Sequence, residues 1–325
     1  MATEAAAIAI ESNLKGALES GKFVVTAELG PPKSADRQVI ETKAELLMGW
    51  ADAINVTDNQ TAVTRMSSLA ACTILKTLGL DPVFQITCRD RNRIALQSDV
   101  LGAYALGIRN VLCLTGDHQS FGNHPQAKGV FDLDSTHLIS TVRRMRDQGR
   151  FLSGDELVGE QPAMFIGAVA NPFAPPYEFR ALRLKKKVEA GAQFIQTQIV
   201  YNISRFKEFV QHAGDLGLLD RVYILAGVSP IKTPGAVRYM RDNVPGLDVP
   251  DVLVTRMKTA GEGIEDKQAR SQVWRREGIE ICVEIIQQLR EIQGVAGVHI
   301  MAIEWEEAVP QIVEQAGLRA SAPGD

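Results

Sequence analysis

The sequence predicts an α/β protein, specifically a single-domain (β/α)8 TIM barrel with an N-terminal helix and extra helices. Short apolar runs rich in β-branched residues alternate with stretches of helical periodicity along the chain, and no hairpin signal interrupts them. Strands that alternate with helices pair in parallel through right-handed crossovers. The glycine patterns GxGxxG and GxxxxGK[ST] do not occur, which disfavours an open nucleotide-binding sheet. A chain of 325 residues is also long enough for a closed barrel, which needs roughly 250.

The chain is predicted to begin with a helix over residues 8–20, because apolar residues recur there at helical spacing before Gly21. We expect this helix to cover the bottom of the barrel. The first strand starts at Phe23, and the Gly-Pro-Pro segment 30–32 ends it just beyond Glu28, since proline lacks a backbone donor. Further apolar runs predict strands over residues 51–57, 82–87, 110–116, 163–170, 194–200, 222–228 and 297–303. Helical periodicity predicts helices over residues 35–50, 67–78, 92–106, 134–147, 177–190, 203–216, 234–242, 250–260 and 264–292.

These elements divide the chain into a helical extension over residues 1–22, a barrel over residues 23–316 and a C-terminal tail over residues 317–325. The polar stretch 117–162 is interpreted as an elaborated loop and helix on the functional face of the barrel, because its composition does not support a separate domain.

Composition excludes several classes of protein. Lysine and arginine total 35 against 39 acidic residues, so the net charge of -4 provides no basic field for nucleic acid. No apolar run reaches the roughly 18 residues of a membrane span, and the start lacks the basic region of a signal peptide. We therefore expect a cytoplasmic protein with no membrane partner. The four cysteines are scattered without a CxxC pair, so no metal site is predicted.

Polar side chains stand at the predicted carboxyl ends of the strands, which is where barrel enzymes place their active sites. Glu28 is the first of them, an acid held by a rigid strand at the rim. A rim carboxylate that merely pairs with a lysine is the alternative. The other candidates at strand ends are Thr57, Gln85, Thr87, Asp117, Asn171, Gln198, Ser229 and Glu304.

The strand ends carry motifs that occur in a fixed order: FVVTAELGPP, NVTDN, FQITC, LCLTGD, LRLKKKVEAGA, FIQTQIVYN and LAGVSPI. Together they resemble the methylenetetrahydrofolate reductase family, the flavin-dependent barrels of one-carbon metabolism and methionine biosynthesis, in its short prokaryotic form. The resemblance runs from Phe23 to the GVHIMAIEWEE segment. It implies that the barrel binds flavin and folate. The implied reaction reduces 5,10-methylenetetrahydrofolate to 5-methyltetrahydrofolate by hydride transfer from reduced flavin to the iminium form of the substrate.

The resemblance assigns catalytic roles to two residues and a substrate contact to a third. Glu28 matches the general acid, which ring opening to the iminium requires, and its apolar strand favours the protonated form. Asp117 matches the aspartate beside the flavin pyrimidine and the folate, where its charge would stabilise the cation. A turn with a helix N-cap is the alternative for Asp117. Gln198 matches the glutamine that contacts the pterin, and a satisfied core amide is its alternative.

The flavin contacts implied by the resemblance are Thr57 and Gln85, where the family often has histidine, together with Lys187 near the flavin phosphates. Spacing places Arg180, Arg183 and Lys187 on one helical face, which in many proteins would be a solvated outer face.

Three departures from the family pattern concern the adenosine half of the cofactor. Thr115 replaces an arginine, Arg180 replaces the aspartate for the adenosine ribose, and Asn171 with Pro172 replaces a tyrosine-proline pair. The family binds flavin adenine dinucleotide (FAD), whereas these departures are compatible with flavin mononucleotide (FMN), with Arg180 at its phosphate. Asn171 is retained as a cofactor-binding candidate.

Two electron donors are compatible with the sequence. NADH or NADPH would bind where the folate binds, at Tyr239 or Met240, which are candidates for that contact and for substrate binding. An iron-sulfur partner subunit is the other donor, in which case the chain would assemble into a hetero-oligomer; a homo-oligomer is equally open. Trp305 stands where the family has an arginine near the folate tail.

Two competing functions remain at this stage. A non-flavin aldolase or synthase would use Lys187 or Lys232, and a non-catalytic subunit of a redox complex would not need Glu28. The five histidines do not form a ligand set by spacing, and His299 is interpreted as a core or barrel residue.

Overall fold

The computed structural model describes residues 12–318, and the chain forms a closed barrel of parallel strands in sequence order. The strands are β1 (Val24–Leu29), β2 (Ala53–Val56), β3 (Pro82–Thr87), β4 (Asn110–Leu114), β5 (Phe165–Ala170), β6 (Phe194–Ile199), β7 (Tyr223–Val228) and β8 (Val295–Ile300). Each strand pairs with the next, and β8 closes the barrel against β1. The predicted (β/α)8 barrel is therefore confirmed.

The helices cover the outside of the barrel, apart from the first. They are α1 (Asn13–Glu19), α2 (Arg37–Leu47), α3 (Ser68–Thr77), α4 (Arg93–Ala105), α5 (Ser135–Gln148), α6 (Phe179–Ala190), α7 (Ile203–Asp215), α8 (Pro234–Asn243), α9 (Asp251–Ala260), α10 (Lys267–Arg290) and α11 (Ala308–Gln315). Many begin at a side-chain cap, such as Ser67 for α3, Asn92 for α4 and Asp134 for α5. Within residues 12–318, none of these helices has both the length and the apolar character needed to cross a membrane.

Two details differ from the sequence expectations. Helix α11 was not predicted, because Pro310 interrupts its apolar pattern; the proline lies in the first turn, where a missing N–H removes no helical hydrogen bond. Strand β8 was predicted over residues 297–303, but it begins at Val295 and the chain leaves the sheet after Ile300. The apolar run continues beyond that point without strand pairing.

The lower half of the barrel interior is filled by apolar side chains. Inward-facing residues of seven strands form a cluster with Leu14 and Leu18 of α1: Val24, Ala53, Val83, Leu112, Phe165, Phe194 and Leu225. The backbone N–H of Leu14 donates to Asp81 Oδ2 at 3.1 Å, which ties α1 to the segment before β3. Among the described residues, helix α1 thus closes the amino-terminal end of the barrel, and the barrel is open to a ligand at the carboxyl ends of the strands. The first part of the predicted helix 8–20 and most of the tail 317–325 lie outside the described residues.

Above this apolar layer the inward-facing positions become polar. Successive side chains of a strand alternate between the interior and the helices, so the next inward positions are two residues further along each strand. They include Thr26, Asn55, Gln85, Gln196 and His299, all buried. This polar layer lies between the apolar plug and the mouth of the barrel, and it forms the base of the candidate site.

Candidate functional site

A cavity of about 360 Å³ opens at the carboxyl ends of the strands. Six of the residues singled out from the sequence line it: Glu28, Gln85, Asn171, Arg180, Lys187 and Gln198. The other lining residues are Leu112, Leu114, Val169, Ala170, Arg183, Leu184, Gln196, Thr197, His299 and Met301. The cavity therefore combines an acid, a group of cations, several amides and apolar side chains.

Glu28 is the penultimate residue of β1, and its side chain is 10% exposed. One carboxylate oxygen, Oε1, accepts a hydrogen bond from Gln60 Nε2 at 3.3 Å. The other, Oε2, lies 3.8 Å from His299 Nε2, and within residues 12–318 this histidine is the only basic side chain at ion-pair distance from Glu28. A rim carboxylate paired with a lysine is thus not what the structure shows.

His299 was placed in the barrel by sequence reasoning, but its contact with Glu28 was missed. Its Nδ1 lies 3.0 Å from Thr26 Oγ1, and that hydroxyl donates to the carbonyl of Val298 at 3.4 Å. Because the hydroxyl has one proton, it accepts a hydrogen bond from Nδ1–H when it donates to the carbonyl. Nε2 is the ring nitrogen that faces the Glu28 carboxyl group. The missed signal is the register of β1 against β8, which pairs Thr26 with His299.

Three cations of α6 form one wall of the cavity. Arg180, Arg183 and Lys187 all line the cavity, and the side chain of Arg183 is also exposed to solvent. Lys187 Nζ donates to the carbonyl of Val169 at 2.6 Å. Burial, with a smaller contribution from Arg183, lowers the pKa of Lys187 to about 8. Burial and then Arg183 also lower the pKa of Arg180.

Among the residues that the structure describes, carbonyl oxygens rather than carboxylates accept the hydrogen bonds of this wall. Arg180 donates to the carbonyls of Ala174 and Pro175, and the ion pairs of α6 involve neither arginine nor Lys187. Arg180 and Lys187, whose pKa values a neighbouring cation lowers and which have no carboxylate partner, would be stabilised by a bound anion. The basic face is consequently part of the cavity, and the solvated outer face considered for it is not what the structure shows.

Several buried amide and hydroxyl groups near the cavity have no hydrogen-bond partner among the described residues. They are both side-chain polar atoms of Asn55, Nε2 of Gln196 and Oγ1 of Thr57. Gln196 lines the cavity, and Asn55 is paired in register with Glu28. Burying a polar group without a partner is unfavourable by about 1–3 kcal/mol. A polar heterocycle with hydrogen-bonding edges would satisfy such groups, so the residues present fit a flavin or a pterin.

The remaining amides of the wall already have partners for part of their capacity. Gln198 Oε1 accepts from the backbone N–H of Ile199 at 3.0 Å, and Asn171 Oδ1 accepts from that of Phe173 at 2.9 Å. The amide nitrogens of both residues are left available to a ligand in the cavity.

Four of the predicted site residues do not line the cavity. Thr57 is buried, and Asp117 has an exposed side chain in the loop after β4. Tyr239 is 61% exposed on α8, and Met240 Sδ lies 3.7 Å from the hydroxyl of Tyr201. The helix-cap alternative for Asp117 does not apply, because the N-cap of the short helical turn Gln119–Phe121 is His118.

A charged cluster beneath the β2 and β3 loops was also missed. Asp58 pairs with Arg91 at 2.6 Å and accepts hydrogen bonds from the backbone and hydroxyl of Thr87, each at 2.9 Å. Arg89 pairs with Asp90 at 2.7 Å and donates to the backbone carbonyl of Asp117 at 3.2 Å. These contacts hold the loop that carries Asp117. The alternating charges of the CRDRNR segment are the sequence signal for the cluster.

Within residues 12–318, no group of three or more histidine, cysteine or acidic side chains is arranged so that it could hold a metal ion. The four thiols are buried, and burial raises the pKa of Cys88 and of Cys282 to about 12.

Comparison with known proteins gives a consistent result. Residues 13–317 match the family model described as methylenetetrahydrofolate reductase. A probable methylenetetrahydrofolate reductase (NADPH) of Caenorhabditis elegans is 24% identical over 265 residues, which cover 80% of this chain and 36% of that protein. The 5,10-methylenetetrahydrofolate reductase of Pectobacterium carotovorum is 23% identical over 304 residues, with 92% of each chain covered. The chain spans about a third to a half of the length of several longer eukaryotic relatives.

Among solved structures, a Clostridium thermocellum protein that binds two copies of 5-methyl-5,6,7,8-tetrahydrofolic acid superposes with a TM-score of 0.62. The two sequences are 14% identical, and the match covers 94% of this chain and 99% of that one. At this identity the superposition shows the shared barrel fold. Because the family match spans nearly all of the described residues, the chain belongs to the methylenetetrahydrofolate reductase family.

Proposed function

We propose that this chain catalyses the flavin-dependent reduction of 5,10-methylenetetrahydrofolate to 5-methyltetrahydrofolate. The observation that carries the proposal is the Glu28 carboxyl group, which is held at the mouth of the barrel and faces His299 on one side and the cavity on the other. Family membership supports the reaction, and the folate ligand of the Clostridium thermocellum protein supports the class of substrate.

Glu28 serves as the general acid in this proposal. The five-membered ring of the substrate opens to an iminium when one of its nitrogens is protonated, and Glu28 gives that proton. His299 Nε2 lies 3.8 Å from the Glu28 carboxylate, which is a suitable position to orient the acid. Thr26 is a positioning residue, because its hydroxyl sets which nitrogen of His299 is protonated.

The flavin, when bound, supplies the hydride. Arg180, Arg183 and Lys187 would hold its phosphate, and the unpartnered amide nitrogen of Gln196, which lines the cavity, favours a ring with polar edges there. Asp117 stays the proposed partner of the flavin pyrimidine. The Asp117 side chain would need to turn inward from its exposed position in the loop. Thr57, which is buried, would also need to turn towards the cavity.

We further propose that the cofactor is FMN. The three cations border the cavity itself, so a phosphate that they bind would lie close to the ring system. Arg180 stands where a family aspartate would contact the adenosine ribose of FAD. Acid release of the flavin followed by chromatography tests this choice. Recovery of FAD at one per chain would reject it.

Electrons would reach the flavin from NADH or NADPH, or from an iron-sulfur partner subunit. Tyr239 on α8 is exposed and remains the proposed nicotinamide contact, with Met240 next to it in the chain. The name of the Caenorhabditis elegans relative specifies NADPH, which supports the direct route. Anaerobic mixing of the purified chain with NADPH or NADH distinguishes the donors, because rapid flavin bleaching would remove the need for a partner.

The experiment that tests the function as a whole is an anaerobic visible spectrum of the purified, photoreduced protein before and after 5,10-methylenetetrahydrofolate is added. We expect a flavin band that disappears on reduction and returns when the folate is added, with 5-methyltetrahydrofolate as the product. A colourless protein, or a reduced flavin that the folate does not reoxidise, would contradict the proposal.

A second candidate function rests on the lowered pKa of Lys187. An amine with a pKa of about 8 inside a cavity is partly unprotonated near neutral pH, as an aldolase or synthase that forms a Schiff base requires. Burial also lowers the pKa of Lys232, whose Nζ donates to the carbonyls of Ile303 and Glu304. Borohydride trapping of a carbonyl substrate on Lys187 in a flavin-free protein would support this candidate.

A further inference from the structure

Glu28 also borders a second, smaller cavity of about 20 Å³, which lies between the loops that follow β1, β2 and β8. Its lining includes Arg65 and Gln60 from the loop after β2, and Glu304 and Glu306 from the segment after β8. A ligand that reaches Glu28 from the main cavity can therefore extend towards this second group of residues.

Arg65 is firmly positioned, but its guanidinium is little used. Its backbone N–H donates to Asn59 Oδ1 at 3.0 Å, and its Nη1 donates to the carbonyl of Pro31 at 3.0 Å. The side chain is 18% exposed, and its Nε is buried without a hydrogen-bond partner among the described residues. A guanidinium has five N–H donors, so most of the hydrogen-bonding capacity of Arg65 is unspent.

The carboxylate at ion-pair distance from Arg65 uses little of that capacity. Glu304 Oε1 lies 3.9 Å from Arg65 Nη2, its side chain is 73% exposed, and its backbone φ of +49° is in the left-handed region. Lys232 binds the backbone carbonyl of Glu304, not its carboxylate. The other acid of this cavity, Glu306, already has a partner, because it forms an ion pair with Lys43 at 2.6 Å. A carboxylate from a ligand could therefore contact Arg65 in place of Glu304.

We infer that Arg65 is a specificity-determining residue that binds a carboxylate of the substrate at the end remote from the reacting ring. The inference rests on the proposed function, since a reduced folate carries its carboxylates on such a tail. An arginine can bind a carboxylate through two parallel hydrogen bonds, which a neutral residue cannot do. Trp305 stands at the position where the resemblance expects an arginine, and it is buried with the Arg275 guanidinium 5.4 Å from its ring. Arg65 supplies the charge from a different loop.

Equilibrium binding of two ligands to the full chain tests the inference. The ligands are 5-methyltetrahydrofolate and its diamide, in which both glutamate carboxylates are neutral but the size is retained. Replacing Arg65 with glutamine should weaken binding of the acid about tenfold to a hundredfold, and binding of the diamide less than twofold. Glu304→Gln should strengthen binding of the acid severalfold, because it removes the competing carboxylate. Arg276→Gln, an exposed arginine on α10, is the matched control and should change neither affinity.

The outcomes separate this inference from the proposed function. Equal weakening of both ligands by Arg65→Gln, or no change in either, would overturn the role of Arg65 while leaving folate binding intact. Failure of the unsubstituted protein to bind either ligand would overturn the folate proposal and this inference with it. The Glu304 variant keeps the test decisive if Arg65→Gln does not fold, because Glu304 is exposed and unchanged binding of the acid there would contradict the exchange of carboxylates.

Discussion

Replacing Glu28 with glutamine removes the ionisable proton and keeps the shape of the side chain. The only hydrogen bond that Glu28 accepts from a described side chain comes from Gln60 at 3.3 Å, and an amide oxygen can accept it equally well. The stability of the protein should therefore change by less than about 1 kcal/mol. A general acid contributes about 10²–10⁴ in rate, so the barrier to folate reduction should rise by about 2.7–5.4 kcal/mol.

The assay is an anaerobic single turnover in which the reduced protein is mixed with 5,10-methylenetetrahydrofolate and flavin absorbance is followed. We expect Glu28→Gln to slow reoxidation by two to four orders of magnitude, with flavin content and thermal midpoint unchanged. Glu280→Gln is the matched control, because Glu280 lies on the outer helix α10 and its ion pair with Arg276 has a long N–O distance of 3.9 Å. A rate within about threefold of the unsubstituted protein would refute the assignment of Glu28 as the acid.

The remaining predictions concern the groups around Glu28 and the closure of the barrel. Thr26→Val should lower the free energy of unfolding by about 1–3 kcal/mol, because it leaves Nδ1 of His299 without its partner. The variant should also reduce folate more slowly at constant flavin content, and Thr26→Ser should restore both the stability and the rate. An unchanged rate in the valine variant would contradict the positioning role. The pKa of Lys187 is lowered to about 8 in the folded protein, so the affinity of the apoprotein for FMN should fall as the pH rises through 8. Lys187→Gln should flatten this pH profile of FMN affinity. A flat profile in the unsubstituted protein would exclude Lys187 from the phosphate site. The unfolded chain binds more protons than the folded one between about pH 8 and the ordinary pKa, so the contribution of Lys187 to the free energy of unfolding should increase with pH in that window, as urea titrations of the apoprotein would show. Gly297→Ala should reduce the free energy of unfolding by at least about 1–3 kcal/mol, because a Cβ there would approach the backbone of β1 to 2.2 Å. In the matched variant Gly16→Ala on α1, the added Cβ meets nothing within 4 Å, so this variant should be slightly more stable. Equal melting temperatures for the two variants would contradict this account.

Much of the site followed from local sequence alone. Glu28 is placed near a strand end because the Gly-Pro-Pro segment 30–32 stops the strand just beyond it. Gln198 is also the penultimate residue of its strand, Gln85 lies two residues before the end of β3, and Asn171 directly follows β5. Helix α11 and the true ends of β8 did not follow, because Pro310 and the apolar residues after Ile300 have the same local pattern in either conformation.

The sequence by itself determined the barrel, since the period of its apolar residues and the positions of its glycines and prolines are local properties that specify where each strand and helix begins and ends. Only the tertiary structure decided which side chains meet. His299 and Thr26 are 273 residues apart, and their contact with Glu28 exists because the last strand closes against the first in one register. A shift of β8 by one residue would turn the His299 side chain away from the interior and break its contacts with Thr26 and Glu28, since side chains alternate along a strand. Arg65 likewise approaches Glu304 only because the loops after β2 and β8 meet at the mouth of the closed barrel.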